Sequence, residues 1–329
     1  MHPSFSIYMA YPRGYCAWVH RAVDMLMQVI MNYPDETIYV NHEIIHNNFV
    51  IRMFEKRWVV FESDISKIPE GSLLVISAHG SGPTYFTGLR ERKIRWIDAT
   101  CPLVDKVHRE ARELIHKGYH ILYIGKKWHQ EAIGVIDEGE EYFTLIEKME
   151  DVESVSFSEG ESLSERSKEI LAPQGWQKKL ALLTQTTLSV DDTDILIREI
   201  QKRFPDIVLP KVGDICYATT NRQKAIKVLA EKCELILVIG SPSSSNSNKL
   251  RHTWESLGKK TYLIDDASEI DPDWLLWVSS VGVTAWASGP EELVEGALQY
   301  LESLWGTFIQ EIRVIEENIE FPYTLKIQS

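Results

Sequence analysis

Three cysteines, Cys16, Cys101 and Cys216, each stand in a polar turn directly before a stretch with helical apolar spacing. That position favours thiolate over thiol, because the first amides of a helix and its dipole stabilise negative charge. Three thiolates gathered together repel one another unless a cation or a metal cluster neutralises them. Three protein ligands also leave one metal position open, the arrangement of a catalytic rather than a structural centre. An iron–sulfur cluster suits an all-thiolate set, with zinc as the alternative. No CxxC pair is present around them, so the reading rests on the equivalence of the three positions. The fourth cysteine, Cys233, falls in a helix-to-strand packing pattern and reads as a core residue.

A second set of residues supplies hydrogen-bond donors. His42, His79 and His129 lie in the loops NHEIIHN, SAHG and KWHQE, and Thr186, Ser244, Ser245, Asn246 and Ser288 lie in corresponding loops elsewhere. Imidazolium charge together with directed hydroxyl, amide and backbone N–H groups suits a diphosphate. Glu131, two residues after His129, is the best-placed acid, able to relay protons beside a metal and a hydroxyl such as Thr186. Asp191 and Asp192 read as helix-capping residues. No Walker A sequence and no GxGxxG follows a strand, so a nucleotide fold is not indicated.

The elements that must position these groups recur three times. Each copy runs cysteine in a polar turn, amphipathic helix, short apolar strand, polar loop. Val19, Ala22, Val23, Leu26, Val29 and Ile30 make the first helical stripe, with Pro34 beyond its end; Val104, Val107, Ala111, Leu114 and Ile115 make the second, stopped by Gly118; Ala225, Ile226, Leu229 and Cys233 make the third. The spacing from Cys101 to Gly125 is 24 residues, as is that from Cys216 to Gly240, and Cys16 to Asn41 is 25. A second strand and polar loop follows in each copy: LLVISAHGSGP, LALLTQTTLS and VGVTAWASGP. Strands alternating with helices predict an α/β protein with largely parallel sheets, its ligand at the carboxyl ends of the strands. Three α/β units are expected, over 1–98, 99–212 and 213–329 with a C-terminal tail, rather than a single doubly wound sheet. Residues 156–179 read as a surface excursion of the middle unit, and Ile319, Phe321, Tyr323 and Leu325 alternate like a strand-like strap.

Composition narrows the classes. The chain has 329 residues, 44% of them hydrophobic, and a net charge of −13, which argues against a nucleic-acid-coating surface. No apolar run approaches a membrane span, and the start lacks the pattern of an export signal. The expectation is therefore a cytoplasmic protein with neither membrane nor nucleic-acid partner.

The phrases PRGYCA, HEIIHN, SAHG, DATCPLV, the His129/Glu131 pair, TQTTLSVDDT, DICYATTNRQ, SSNSN and GVTA resemble the 4-hydroxy-3-methylbut-2-enyl diphosphate reductase family through nearly the whole chain. The resemblance implies a trefoil of three pseudo-threefold-related α/β units around a [4Fe–4S] cluster, one per chain, held by Cys16, Cys101 and Cys216. It implies an allylic diphosphate substrate held by His42, His79, His129, Ser244, Ser245, Asn246 and Ser288, with Thr186 near the substrate hydroxyl and Glu131 delivering protons. It further implies loss of the hydroxyl as water, electrons from a flavodoxin- or ferredoxin-type protein, and isopentenyl or dimethylallyl diphosphate as product. Two other readings stay open: a diverged paralogue acting on another allylic diphosphate, and a cluster-bearing sensor without turnover.

Several positions depart from the family pattern. Trp18, Trp128 and Trp286 stand where the family usually has glycine, Gln130 stands in the usual GHPE phrase, and Pro242 and Ser243 alter the usual GSKNSSNSN loop. Three indoles at repeat-related places suggest an aromatic collar around the cluster or pocket mouth.

Overall fold

The computed structural model describes residues 4–155, 179–210, 212–240 and 258–329. Ser244, Ser245, Asn246, Pro242 and Ser243 lie outside the described residues, as does the excursion at 156–179 apart from its last residue. Within the described residues the strands form three separate sheets. No single doubly wound sheet is present among them. By contact density the chain divides into two compact units, Met1–Ala78 with Ile94–Ala99 and Tyr217–Ser329, and His79–Lys93 with Thr100–Cys216.

The first unit holds two sheets. Strands β2 (Ile38–Asn41), β3 (Val60–Phe61), β4 (Leu73–Ile76) and β5 (Arg95–Asp98) pair in the order β3-β2-β4-β5, all parallel. Strands β1 (Phe5–Tyr11), β9 (Leu235–Ile239), β10 (Lys260–Ile264), β11 (Ser280–Ala285) and β12 (Gly306–Arg313) pair in the order β10-β9-β11-β1-β12, again all parallel. The first strand of the chain thus sits inside a sheet otherwise built from its last hundred residues. Parallel pairing needs helical crossovers, which cover both faces of a sheet. The unbroken apolar runs LLVI of β4 and LILVI of β9 are accordingly buried at every position. The second unit holds the three-stranded parallel sheet β7-β6-β8, from β6 (His120–Ile124), β7 (Phe143–Ile146) and β8 (Leu180–Thr184).

The three helices expected after the cysteines are present as α1 (Ala17–Asn32), α4 (Pro102–His116) and α8 (Tyr217–Lys232). Their buried faces carry the expected stripes: Ala22, Leu26 and Val29 on α1, Val104, Val107 and Ala111 on α4, Ala225, Ile226 and Leu229 on α8. Gly118 ends α4 at φ 75, a conformation open to glycine. Cys233 is buried against α8, as expected. The remaining helices are α2 (Asn48–Glu55), α3 (Pro83–Glu91), α5 (Gln130–Ile136), α6 (Met149–Ser154), α7 (Val190–Arg203) and α9 (Glu291–Ser303). The cap of α7 is Ser189, whose hydroxyl accepts from Asp192 N–H; Asp191 and Asp192 occupy the first turn instead, where their charge complements the helix dipole. No helix among the described residues is long and apolar enough to cross a membrane.

The tail after β12 packs across the first unit. Arg21 Nε donates to Phe321 O at 3.1 Å, Gln28 Nε2 donates to Tyr323 Oη at 2.6 Å, and Gln328 exchanges backbone hydrogen bonds with Trp96 at the edge strand β5. The alternating residues therefore serve as a strap over α1, ended by an antiparallel bridge.

Candidate active site

The second unit contains Cys101 and Cys216 and ties the second of them to the acid and a hydroxyl. Glu131 lies in the first turn of α5, whose N-cap is His129; the imidazole Nδ1 accepts from Glu131 N–H at 3.1 Å. The Glu131 side chain is buried and turns onto the loop after β8. Thr186 N–H donates to Glu131 Oε1 at 2.6 Å and Thr186 Oγ1 donates to Oε2 at 3.0 Å. The carbonyl of the same threonine accepts from Cys216 N–H at 2.9 Å. Burial dominates the acid's titration and pushes it up to about 7, against the two Thr186 hydrogen bonds that favour the carboxylate. A carboxyl group of that kind holds a proton near neutral pH and can release it, which is what a general acid requires.

The neighbouring loops are fixed by further bonds. Gln185 Oε1 accepts from Lys126 N–H at 3.0 Å and Gln185 N–H donates to Ile124 O at 2.8 Å, tying the KKWHQE loop to the TQTT loop. His79 meets His129 edge-to-face at 5.7 Å between ring centroids. Gly80, at φ 76, lets the SAHG turn pass close to α4: a β-carbon there would lie 3.0 Å from Thr100 Cγ2. Two residues before Cys216, the buried carboxylate of Asp214 accepts from Thr184 N–H at 2.9 Å and from Lys106 Nζ at 3.0 Å. Lys106 also donates to Val212 O at 3.1 Å, so the helix that starts after Cys101 holds the segment leading into Cys216. Burial raises Asp214 to about 6 even with that lysine beside it. Sequence reading passed over Asp214 and Lys106, because one carboxylate among 48 acidic residues carries no mark of its burial.

The first unit contributes Cys16, His42 and Ser288. Cys16 is the N-cap of α1 and its Sγ accepts from Val19 N–H at 3.4 Å, while Cys16 N–H donates to Ala287 O in the turn that contains Ser288. Burial raises the Cys16 thiol, and the amide of Val19 and the Arg222 guanidinium partly offset this. His42 directly follows β2, at φ 56, with Nδ1 2.5 Å from Ser63 Oγ; burial lowers its titration. Cys101 is the N-cap of α4, and Cys216 stands immediately before α8. None of the four cysteines forms a disulfide. Cysteines outside any disulfide at the starts of three helices are a donor set that fits a thiolate-held cluster. Among the described residues, no group of three or more His, Cys, Asp or Glu side chains is placed to hold a single metal ion.

The family comparison decides the assignment. The profile of the family described as LytB protein matches residues 7–302. This chain belongs to the LytB family. It is 40% identical over 327 residues to the 4-hydroxy-3-methylbut-2-enyl diphosphate reductase of Psychrobacter arcticus, covering 98% of this chain and 97% of that one. It is also 40% identical to the enzyme of the same name from Acidothermus cellulolyticus, covering 97% and 89%. Its fold matches the structure of the E-1-hydroxy-2-methyl-but-2-enyl-4-diphosphate reductase from Plasmodium falciparum with a TM-score of 0.87 at 33% identity, over 98% of this chain and 96% of that one.

Against the LytB pattern the three departing indoles do not share an environment. Trp18 is buried, donates from Nε1 to Ala99 O at 2.9 Å and meets Phe321 edge-on at 5.4 Å. Trp286 is buried in the core between α8 and its sheet, with its Nε1 left without a hydrogen-bond partner. Trp128 is 80% exposed beside Lys127. The three indoles thus differ in their immediate surroundings: a carbonyl and a phenyl edge for Trp18, a helix–sheet core for Trp286, solvent for Trp128.

Proposed function

We propose that this LytB-family chain reduces 4-hydroxy-3-methylbut-2-enyl diphosphate to isopentenyl and dimethylallyl diphosphate, with a [4Fe–4S] cluster held by Cys16, Cys101 and Cys216. The overall change takes two electrons and two protons and releases the allylic hydroxyl as water, leaving the diphosphate intact. Electrons come from outside the chain, from a reduced flavodoxin- or ferredoxin-type protein. When bound, such a cluster supplies electron transfer and a Lewis-acidic iron with an open position for the alcohol oxygen.

The observation that carries this reading is the buried Glu131 carboxyl group, clasped by Thr186 and titrating at about 7. Glu131 holds the proton that turns the departing hydroxyl into water. Thr186 orients that carboxyl group through its amide and hydroxyl, and its carbonyl holds the Cys216 backbone in register with the acid. His129, at the start of α5 with Nδ1 taken up as an acceptor, offers its Nε2–H to the diphosphate, and His79, against its ring edge, offers a second imidazole donor. His42, Ser244, Ser245, Asn246 and Ser288 complete the diphosphate contacts in this proposal. The three α/β units at 1–98, 99–212 and 213–329 remain our proposal for the chain's organisation around the cluster.

Anaerobic purification followed by iron and sulfide analysis tests the cofactor. About four irons per chain with brown visible absorption supports the proposal, and a colourless zinc protein defeats it. An anaerobic assay with a reduced viologen and the family substrate then tests turnover; a full cluster with no product defeats the substrate assignment.

A further inference from the structure

The Cys16 loop is held by a group that the proposed mechanism leaves unused. Arg222, in the second turn of α8, has one of the largest fully buried side chains among the described residues. Its Nε donates to Gly14 O at 2.8 Å, Nη2 to Tyr15 O at 3.3 Å and Nη1 to Ala218 O at 3.1 Å. The charge is balanced by Glu317, on the C-terminal strap, whose Oε1 accepts from Nη1 at 3.1 Å and from Asn221 Nδ2 at 2.9 Å. A planar fork with five donors can hold two successive carbonyls and a carboxylate at once; a lysine cannot. We propose that Arg222 and Glu317 are positioning residues that lock the Gly14–Tyr15–Cys16 backbone so that Cys16 is presented as a ligand. The C-terminal strap thereby becomes part of the machinery that retains the cluster. This rests on the cluster proposed above.

Removing Arg222 leaves a large cavity and risks the fold, so the test uses Glu317. The full chain, loaded with its cluster, is exposed to an iron chelator and a maleimide, and the order in which each cysteine is alkylated is read by mass spectrometry. In Glu317→Ala, Cys16 is expected to be labelled several-fold earlier than in the wild type, with Cys101 and Cys216 unchanged and Glu317→Asp restoring the wild-type order. A uniform shift of all three cysteines, or no shift at all, overturns the proposal. Wild-type protein lacking cluster absorption instead defeats the cofactor assignment, so the two failures are distinguishable.

An independent observation concerns tryptophan. Trp58, Trp277 and Trp305 adopt φ of 64, 66 and 78, a region that bulky L-residues avoid because the β-carbon crowds the following carbonyl. At the end of α2 the pattern is that of a glycine-terminated helix: Trp58 N–H donates to Glu55 O and Val59 N–H to Phe54 O. Gly118 ends α4 with the same pair of bonds, to Ile115 O and Leu114 O. Trp58 and Trp277 project into solvent, 86% and 89% exposed. Trp18, Trp128 and Trp286 fall where the resembling family carries glycine, in three unlike environments. By contrast, Trp96 is buried in β5 and Trp274 stacks on Tyr262 at 3.8 Å, both without positive φ.

No one environment for an indole is common to the six positions; three share the left-handed conformation that favours glycine, and the other three fall where the resembling family usually carries glycine. We infer that the cell that makes this protein inserts glycine at 18, 58, 128, 277, 286 and 305, through UGA codons, which different genetic codes read as stop, tryptophan or glycine. Codons of the gene and peptide masses of the protein from its native cells test this. UGA at these six positions with UGG at Trp96 and Trp274, and peptides lighter by the tryptophan–glycine difference, are the expected result. UGG codons or intact tryptophan at the six positions overturn the inference.

Discussion

The loops of Cys16 and Cys216 begin as the same sequence phrase and end in opposite electrostatic surroundings. Cys16 is braced by a buried guanidinium, balanced by a glutamate from the C-terminal strap. Cys216 is braced by carbonyl and carboxyl groups: Thr186 O takes its amide, Thr186 in turn clasps Glu131, and Asp214 lies two residues before it. In the proposed site the first loop would hold its cysteine still, and the second would hold its cysteine beside the Glu131 proton. A repeated motif can therefore supply equivalent thiols while the tertiary partners assign different duties to the ground around them.

The largest effect that can break this comparison comes from the cysteines. Cys16→Ser and Cys216→Ser are each expected to abolish the visible absorption of the anaerobically purified protein; survival of that absorption in either variant would show that the two loops do not serve one centre. Next, Glu131→Gln is expected to keep the absorption and lower turnover by about 10²-fold or more. Equal activity in that variant would move the proton store elsewhere.

The pH profile sharpens the same point. Glu131 titrates at about 7 in the fold against 4.5 ordinarily, so it is protonated below that pH and its acid function is lost as pH rises through about 7. The stability sign follows from the raised value. The folded chain binds this proton more tightly than the unfolded one, so stability falls between the two values as pH rises. Glu131→Gln should remove that pH dependence and stabilise the protein above pH 7 by on the order of 2 kcal/mol, measurable by denaturant titration at two pH values.

Smaller still is the Lys106–Asp214 ion pair, two residues before Cys216. Lys106→Met leaves Asp214 buried without its lysine and is expected to cost about 2 kcal/mol, read as a lowered denaturation midpoint. Last, Trp58→Gly at the end of α2 should stabilise by about 1 kcal/mol, because it relieves a left-handed conformation of a bulky residue. A destabilised variant would mean that the indole makes a contact worth more than that strain.

Much of the fold was legible beforehand. Apolar residues at helical spacing marked α1, α4 and α8, and unbroken apolar runs marked β4 and β9, because burial on one face or on both leaves those two periods in the sequence. Glu131 and Thr186 were also legible as a pair. The insertion of β1 between β11 and β12 was not, since strand order in a parallel sheet is set by crossovers and leaves no mark in any strand's own composition. The separate surroundings of the three indoles were hidden for a related reason. Equivalent repeat positions predict equivalent backbones, whereas side-chain environment depends on what packs over them, and Trp18, Trp128 and Trp286 meet a carbonyl, solvent and a helix–sheet core.

By itself the sequence determined which residue types stand at the start of each repeated helix, and hence that three thiols, an acid and a hydroxyl would sit at helix starts and strand ends. Local spacing suffices for that, because capping and amphipathic periodicity are short-range properties. Only the tertiary structure decided that Glu131 would be buried and titrate near 7, that Arg222 would reach back to Gly14 and Tyr15, and that the strap would supply its counter-charge. Desolvation and charge pairing are set by the neighbours a fold brings from distant sequence, and those neighbours are written nowhere near the residues they govern.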